Sequence, residues 1–461
     1  MRDFNSKFLS GGLEGNYSRR ATLPNEIYRM IVGHVADLDY APKQNILISL
    51  SRSSQPLINL AEEYLYMHPR DLDTTQKQRQ FLISIRTKSV RSGFVQSLRL
   101  LWDSNSANSQ LLVDIVNNCF NVKFLLLQRG KDLNDATRVS SDCVATLATI
   151  LDACRGITSF QFCTTLKWKT VFEQGGLITK HGKELSDLIS ANPHAIKCLR
   201  QLKSLTLSGQ SDWVIDGILP YLGSNLTSVF LSQDCDVGSS ETPFVDLSRL
   251  CPHLRSLVFR RTLDTSDDLE QACKAWGETM EELEISSILD MRDWVSQVMP
   301  CMKVLRVLHL GVGCTLFTES IRCIASTESP LEELSLGDIL PVNEASEDVL
   351  ADMNQAIANM INVHASTLQL IEFFCQELGD PVIQACKKVR QLHTLDLHIC
   401  DSPKSSDIDE LLDKCPDLIW FPRWFKRSSA RQVEWEERTN TKDNLEERRL
   451  RQEPPACGLG T

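Results

Sequence analysis

The residues of this chain that could do chemistry do not converge on a reaction. The stretch GGLITKHGKE has the glycines and lysine of a phosphate-cradling loop. However, the interval from Gly176 to Gly182 is one residue too long, and Glu184 follows Lys183 where Ser or Thr is needed to hold Mg²⁺. The nine histidines are scattered, and His309, His393 and His398 fall on or beside predicted strands, where a lone imidazole reads as a structural or surface group rather than a general base. Sixteen cysteines include no C-x-x-C, so neither a zinc site nor a redox pair has its spacing. The patterns G-x-S-x-G, H-E-x-x-H and G-x-G-x-x-G are absent, and no sequence context pairs carboxylates in a cleft. The expectation is no catalytic residue, no metal and no cofactor, hence no enzyme.

Bulk properties narrow the class. A net charge of −11 argues against a general nucleic-acid binder. Nothing approaches a membrane span, and the N-terminus lacks the apolar stretch of a signal peptide. The cysteines are spread through predicted core positions, which fits buried reduced thiols in the cytoplasm and/or nucleus better than disulfides. Asn16-Tyr17-Ser18 and Asn225-Leu226-Thr227 have the spacing of glycosylation acceptors, which matters only in a secreted protein.

If the chain holds a partner instead of turning over a substrate, the elements that position its side chains become the question. A strand-like pattern, L-x-x-L-x-L, recurs along most of it. It is clearest at Leu202, Leu305, Leu331 and Leu392, with looser copies from Val95, Val122, Ile157, Leu226, Leu254, Met280 and Leu368, and a last partial copy at Leu418. Most starts lie 24 to 28 residues apart. Alternation at period two places one face of each short strand in a core. Between strands the spacing becomes helical, as in DWVIDGILPYL with Val214, Ile215, Ile218, Leu219 and Leu222 on one side. A strand–helix unit cannot bury its apolar face alone, but stacked units can, with parallel strands on a concave face and helices on the convex one.

This pattern resembles a leucine-rich repeat solenoid of the cysteine-containing kind. Cys119, Cys154, Cys251 and Cys415 each stand three residues before a strand pattern. The family's usual Asn or Cys after the strand is present as Cys400 and mostly absent elsewhere, which points to an irregular solenoid.

Residues 21–70 differ in composition. TLPNEIYRMIVGHV starts a helix at Pro24 and places Ile27, Met30, Ile31, His34 and Val35 on one face. A second apolar series follows, through Ile46, Leu47, Leu50, Leu57, Leu60, Ala61, Tyr64 and Leu65. The stretch resembles an F-box, whose opening pattern is matched in order by Leu23, Pro24, Glu26, Ile27 and Ile31, with Ile48, Leu50, Ser51 and Arg52 similar to its later part. Leu65 and Tyr66 stand where many members have Leu-Trp. The resemblance implies a unit that docks onto a Skp-type adaptor of a cullin–RING (SCF-type) ubiquitin ligase through Leu23, Pro24, Ile27, Ile31, Leu47 and Leu50, while the repeats hold a protein substrate. The alternative is a leucine-rich repeat interaction scaffold unrelated to ubiquitin, with residues 21–70 as a helical cap.

The expected organisation is α/β. It comprises a tail over 1–20, a helical F-box-like unit over 21–70, a connector over 71–94, a solenoid with its cap over 95–425, and a charged tail over 426–461. Trp420, Phe421, Trp424 and Phe425 suit a cap over the last coil; a basic-aromatic docking patch with Arg423, Lys426 and Arg427 is the other reading. Two intervals, 164–200 and 338–367, exceed the repeat length; they read as an edge loop or a longer helix, and the second favours the helix. Alternation also names the residues that face the concavity, among them Phe230, Val258, Glu284, His309, Glu372 and Asp396, with Glu282 and Glu333 one alternate step earlier. The acidic half of this face could take a basic or mixed segment of a partner, or could simply be acidic because the protein is. A monomer within a larger complex is expected.

Overall fold

The computed structural model describes residues 24–36, 40–53, 55–69, 72–103, 106–129, 140–164, 175–209, 212–232, 242–263, 266–288, 292–311, 313–337, 347–373, 378–397, 410–411, 413–415 and 418. The expectations placed on the 1–20 tail, Leu23, Cys400, the Trp420–Phe425 cap and the 426–461 tail lie outside the described residues. The chain is α/β and divides into two compact units, one ending at Leu65 and the other starting at Tyr66.

The first unit is helical: α1 (Asn25–Ala36), α2 (Tyr40–Ser53) and α3 (Gln55–Met67, whose last residues cross the boundary). Pro24 sits just ahead of α1, and its carbonyl accepts the N–H groups of Ile27 and Tyr28 at 3.0 and 3.3 Å. The core is small. Val32, Leu47 and Ala61 are fully buried, with Val35, Leu50, Leu57, Leu60, Tyr64 and Leu65 packed around them. So few apolar residues can cover one side of α1 only, and its Ile27–Met30–Ile31 stripe stays exposed.

The second unit includes α4 (Thr75–Thr87) and α5 (Ser89–Phe94), which take up most of the 71–94 stretch expected as a connector. Phe81, Leu82 and Ile85 of α4 belong to the main core. Buried Gln78 donates to the carbonyls of Leu72 and Leu101 and accepts from Asn108, tying α4 to the start of the sheet. Then strands and helices alternate. The strands are β1 (Ser97–Trp102), β2 (Phe124–Arg129), β3 (Ser159–Thr164), β4 (Ser204–Ser208), β5 (Ser228–Leu231), β6 (Ser256–Leu263), β7 (Glu282–Ile288), β8 (Val307–Leu310), β9 (Glu333–Leu336), β10 (Leu370–Phe373) and β11 (Thr394–Leu397). They form one parallel sheet in strict chain order. The helices between them are α6 (Ser106–Asn118), α7 (Ser141–Ala153), α8 (Gly175–Ser190), α9 (Pro193–Arg200), α10 (Asp212–Ile218), α11 (Pro243–Leu250), α12 (Asp267–Trp276), α13 (Trp294–Val298), α14 (Thr318–Ser326), α15 (Glu347–His364) and α16 (Asp380–Cys386).

Every strand starts two residues into a repeat of the sequence pattern, because the pattern's first apolar residue anchors the turn and the next two anchor the strand. Leu202, Leu205 and Leu207 are fully buried, as are Leu305 and Leu310, and the same positions elsewhere join one continuous core with the helices. Successive coils are also stitched by backbone. The carbonyl just before each strand accepts two consecutive N–H groups of the next coil, as Lys203 does from Thr227 and Ser228 at 2.9 and 3.0 Å. Trp102, Phe162 and Trp213 form an edge-to-face chain within this core, with centroids 6.2 and 5.8 Å apart. The 164–200 interval thus contributes helices over 175–200, and the 338–367 interval contributes α15.

Two departures from the repeat pattern find their explanation here. The stretch with the glycines of a phosphate loop lies within α8, where Gly182 lets the helix approach α10: a Cβ there would stand 2.5 Å from that of Asp216, and one on Gly217 would meet Leu185 at 2.6 Å. The post-strand Asn or Cys has a counterpart at buried Cys314, four residues past Leu310, whose Sγ lies 3.5 Å from the Ile285 carbonyl it satisfies. Burial pushes the thiols of Cys119 and Cys251 up to about 12, and that of Cys415 up to about 11. All three are buried, free and neutral.

Candidate functional site

Strand register fixes which side chains stand together on the face turned away from the helices. Arg99, Leu126, Gln161, Thr206, Phe230, Val258, Glu284, His309, Ser335, Glu372 and Asp396 lie in one row, each the register partner of the next. Two residues earlier runs a second row that includes Ser204, Ser228, Ser256, Glu282, Val307 and Glu333. Parallel strands lie about 4.8 Å apart, so like charges here need partners or water.

The centre of the face is a linked network. Arg260, two residues past Val258 on β6, stacks over Phe230 at 5.2 Å and donates from Nε to Glu284 Oε1 at 2.6 Å. On the other side of Glu284, His309 places Nδ1 at 3.9 Å from Oε2, while its Nε2 lies 3.4 Å from Glu333 Oε2. Burial by itself would lower the His309 pKa, but the Glu284 and Glu333 carboxylates outweigh it and raise it to about 9. The imidazole is therefore a cation at neutral pH. Burial works to raise the Glu284 pKa, and His309 and Arg260 overcome it, holding the carboxyl below its usual range; Glu333 is held low by His309 first. Ser256 donates to Glu282 at 2.5 Å, and Ser335 to Glu372 at 2.7 Å.

This geometry revises the expected binding face. Glu284 is committed to two internal cations and is not a free docking carboxylate. Val258 is 7 % exposed and Asp396 only 1 %, so neither offers a partner much surface; the short side chain of Asp396 stands in register beside the longer Glu372. Phe230 is half-buried beneath Arg260. Glu282, Glu333 and Glu372 remain part-exposed. Arg260 was missed because the six-residue pattern ends at Phe259, whereas β6 continues to Leu263; extending the alternation by one step would have found it.

In the helical unit, Pro24, Ile27 and Ile31 are exposed on or beside α1, as docking would require. Leu47 is not available: it is 0 % exposed, being the apolar residue of α2 that meets Val32 and Ala61. Leu50 is half-buried against the same core. Met30, 59 % exposed, and Ile48, 37 % exposed, are apolar surface that the docking set omitted, although Met30 lay on the helical face and Ile48 in the F-box-like stretch.

Among the described residues, no group of three or more His, Cys, Asp or Glu side chains could hold a metal ion, and no helix is long and apolar enough to cross a membrane. The chain matches no protein-family model and no curated protein sequence.

Proposed function

We propose that the chain is the substrate-recognition subunit of an SCF-type cullin–RING ubiquitin ligase: an F-box-like helical unit that docks onto a Skp-type adaptor, followed by a leucine-rich repeat solenoid that holds a protein substrate. The observation that carries this reading is the α1 stripe of Ile27, Met30 and Ile31, with Pro24 just ahead of it, left exposed in a unit whose few apolar residues are spent elsewhere. Exposed apolar side chains on one helix face are the substrate of a helix-in-groove contact. In chain order the unit precedes a sheet whose outward rows are mixed in the first half and charged in the second, which suits a binding surface. On this reading the protein performs no bond chemistry. It raises the effective concentration of a substrate lysine beside a charged conjugating enzyme.

The test is co-purification of the full chain with a recombinant Skp-type adaptor. Wild type is expected to bind stoichiometrically. Ile27→Asp with Ile31→Asp should abolish binding while leaving the far-ultraviolet circular dichroism unchanged, since both residues are exposed. No binding by a folded wild-type chain would sink the ligase reading and leave an interaction scaffold.

A further inference from the structure

The residue just before each strand forms a row along the leading rim of the sheet: Lys123, Thr158, Lys203, Thr227, Arg255, Glu281, Arg306 and Glu332, each bonded through its backbone to the next. From β6 to β9, cations on and beside this rim are matched by an acid one coil away. Arg255 pairs with Glu281 at 3.1 Å, Arg306 with Glu332 at 2.7 Å, and Lys303 with Glu278.

Toward the earlier coils the matching stops. Lys123 and Lys203 on the row, Arg155 in the turn before Thr158, and Lys197 and Arg200 in the last turn of α9 are all exposed. None of the five takes part in an ion pair among the described residues. The Nζ of Lys123 reaches the turn at Gly156, where an added Cβ would meet it at 3.3 Å, so it stands beside Arg155. Lys123 and Lys203 are two coils apart, about 10 Å at the spacing of parallel strands. Of the described carboxylates near these cations in sequence, Asp114 pairs with Arg86, Asp152 is half-buried near the Cys198 thiol, and Asp187 and Asp212 lie on α8 and α10. Helix C-termini favour cations at this rim. That preference operates equally in the β6–β9 coils, where acids nevertheless accompany the cations.

We propose that this stretch of the leading rim is a docking surface for an acidic segment of a partner protein, with Lys123, Arg155, Lys197, Arg200 and Lys203 supplying the contacts. A short acidic segment lies within the reach of these cations, because screening limits their field to about 8 Å at physiological salt. A nucleic acid would run well past the patch, over a chain whose net charge is −11. None of these residues belongs to the outward rows of the sheet or to α1, so the proposal stands or falls independently of the ligase reading.

The experiment uses the full chain and a fluorescein-labelled oligoglutamate peptide, followed by anisotropy across a salt series. Binding should be present at low salt and fade as salt rises. Combined Lys123→Gln, Arg200→Gln and Lys203→Gln should weaken it about tenfold or more. Lys303→Gln with Arg306→Gln, which removes cations already paired, should change it less than about twofold. Circular dichroism would verify that each variant is folded. Absence of binding, or equal losses in the two variants, would overturn the assignment. So would displacement of the peptide by a lower concentration of a single-stranded oligonucleotide of equal charge, which would identify a nucleic-acid surface instead.

Discussion

The two halves of the open sheet face share a backbone and almost nothing else. On β1–β5 the outward rows carry Ser97, Phe124, Ser159, Ser204 and Ser228 beside Arg99, Leu126, Gln161, Thr206 and Phe230. On β7–β11 they carry Glu282, Glu333, Glu284, His309, Glu372 and Asp396. The inward residues barely change: Leu205 and Leu207 in one half, Leu308 and Leu310 in the other, all essentially buried. Inward positions are constrained by the core, whereas outward ones are free to vary with whatever the face must contact. Arg260 on β6 marks the seam, touching the Phe230 ring of the first half and the Glu284 carboxylate of the second. The leading rim reverses the balance, with unpaired cations at the β2–β4 coils and paired charges from β6 to β9.

The claim that both halves rest on one core predicts the largest effects. Phe162→Ala, which removes the ring between Trp102 and Trp213, and Phe259→Ala, which removes a ring against Phe244, should each destabilise the protein by about 3–5 kcal/mol in chemical denaturation. A marked loss from one and none from the other would show that the halves are built differently. A smaller effect is expected on the open face. Glu284→Gln strips Arg260 and His309 of a shared carboxylate and should cost about 1–3 kcal/mol. Its counterpart in the same row of the first half, Gln161, has no such ties, and Gln161→Ala should stay within about 0.5 kcal/mol. In nuclear magnetic resonance titration the His309 pKa should drop from about 9 in the Glu284→Gln variant.

The pH dependence sharpens the contrast and has a defined sign. The His309 pKa is raised from 6.5 to about 9 on folding, so the folded state holds its proton more tightly. Its stabilisation is complete below pH 6.5 and is lost as pH rises through about 9, and His309→Gln should flatten that part of a melting-temperature profile. The lowered Glu284 and Glu333 contribute in the opposite sense, their share being present above the usual 4.5 and lost as pH falls through their depressed values. The smallest effect concerns partner capture. Glu282→Gln, Glu333→Gln and Glu372→Gln together should reduce recovery of a bound protein at low salt and matter little at high salt. Phe124→Ser should reduce recovery at both. A loss independent of salt in the glutamate variant would remove the electrostatic role of this half.

How much of this was legible in the sequence can be argued residue by residue. The beat of Leu202, Leu305, Leu331 and Leu392 located the strands, and period-two alternation placed Glu284, His309 and Glu372 in one row, because side-chain direction in a strand is a local property. Helical spacing likewise put Ile27, Met30 and Ile31 on one stripe. It could not say whether the stripe faced inward or out. Val32 and Leu47 took the buried role, since a three-helix unit has one interior and α1 offers it only one side.

Sequence by itself therefore determined the period, the direction of each strand side chain and the class of residue at each outward position, all set by backbone geometry within a few residues. Only tertiary structure decided which charges meet. Arg260 reaches Glu284 across 24 residues of chain, His309 sits between two carboxylates from neighbouring coils, and Lys123 finds no acid where Arg306 finds Glu332. Such pairings depend on what stacking brings to within a few ångströms, and no local pattern encodes that distance.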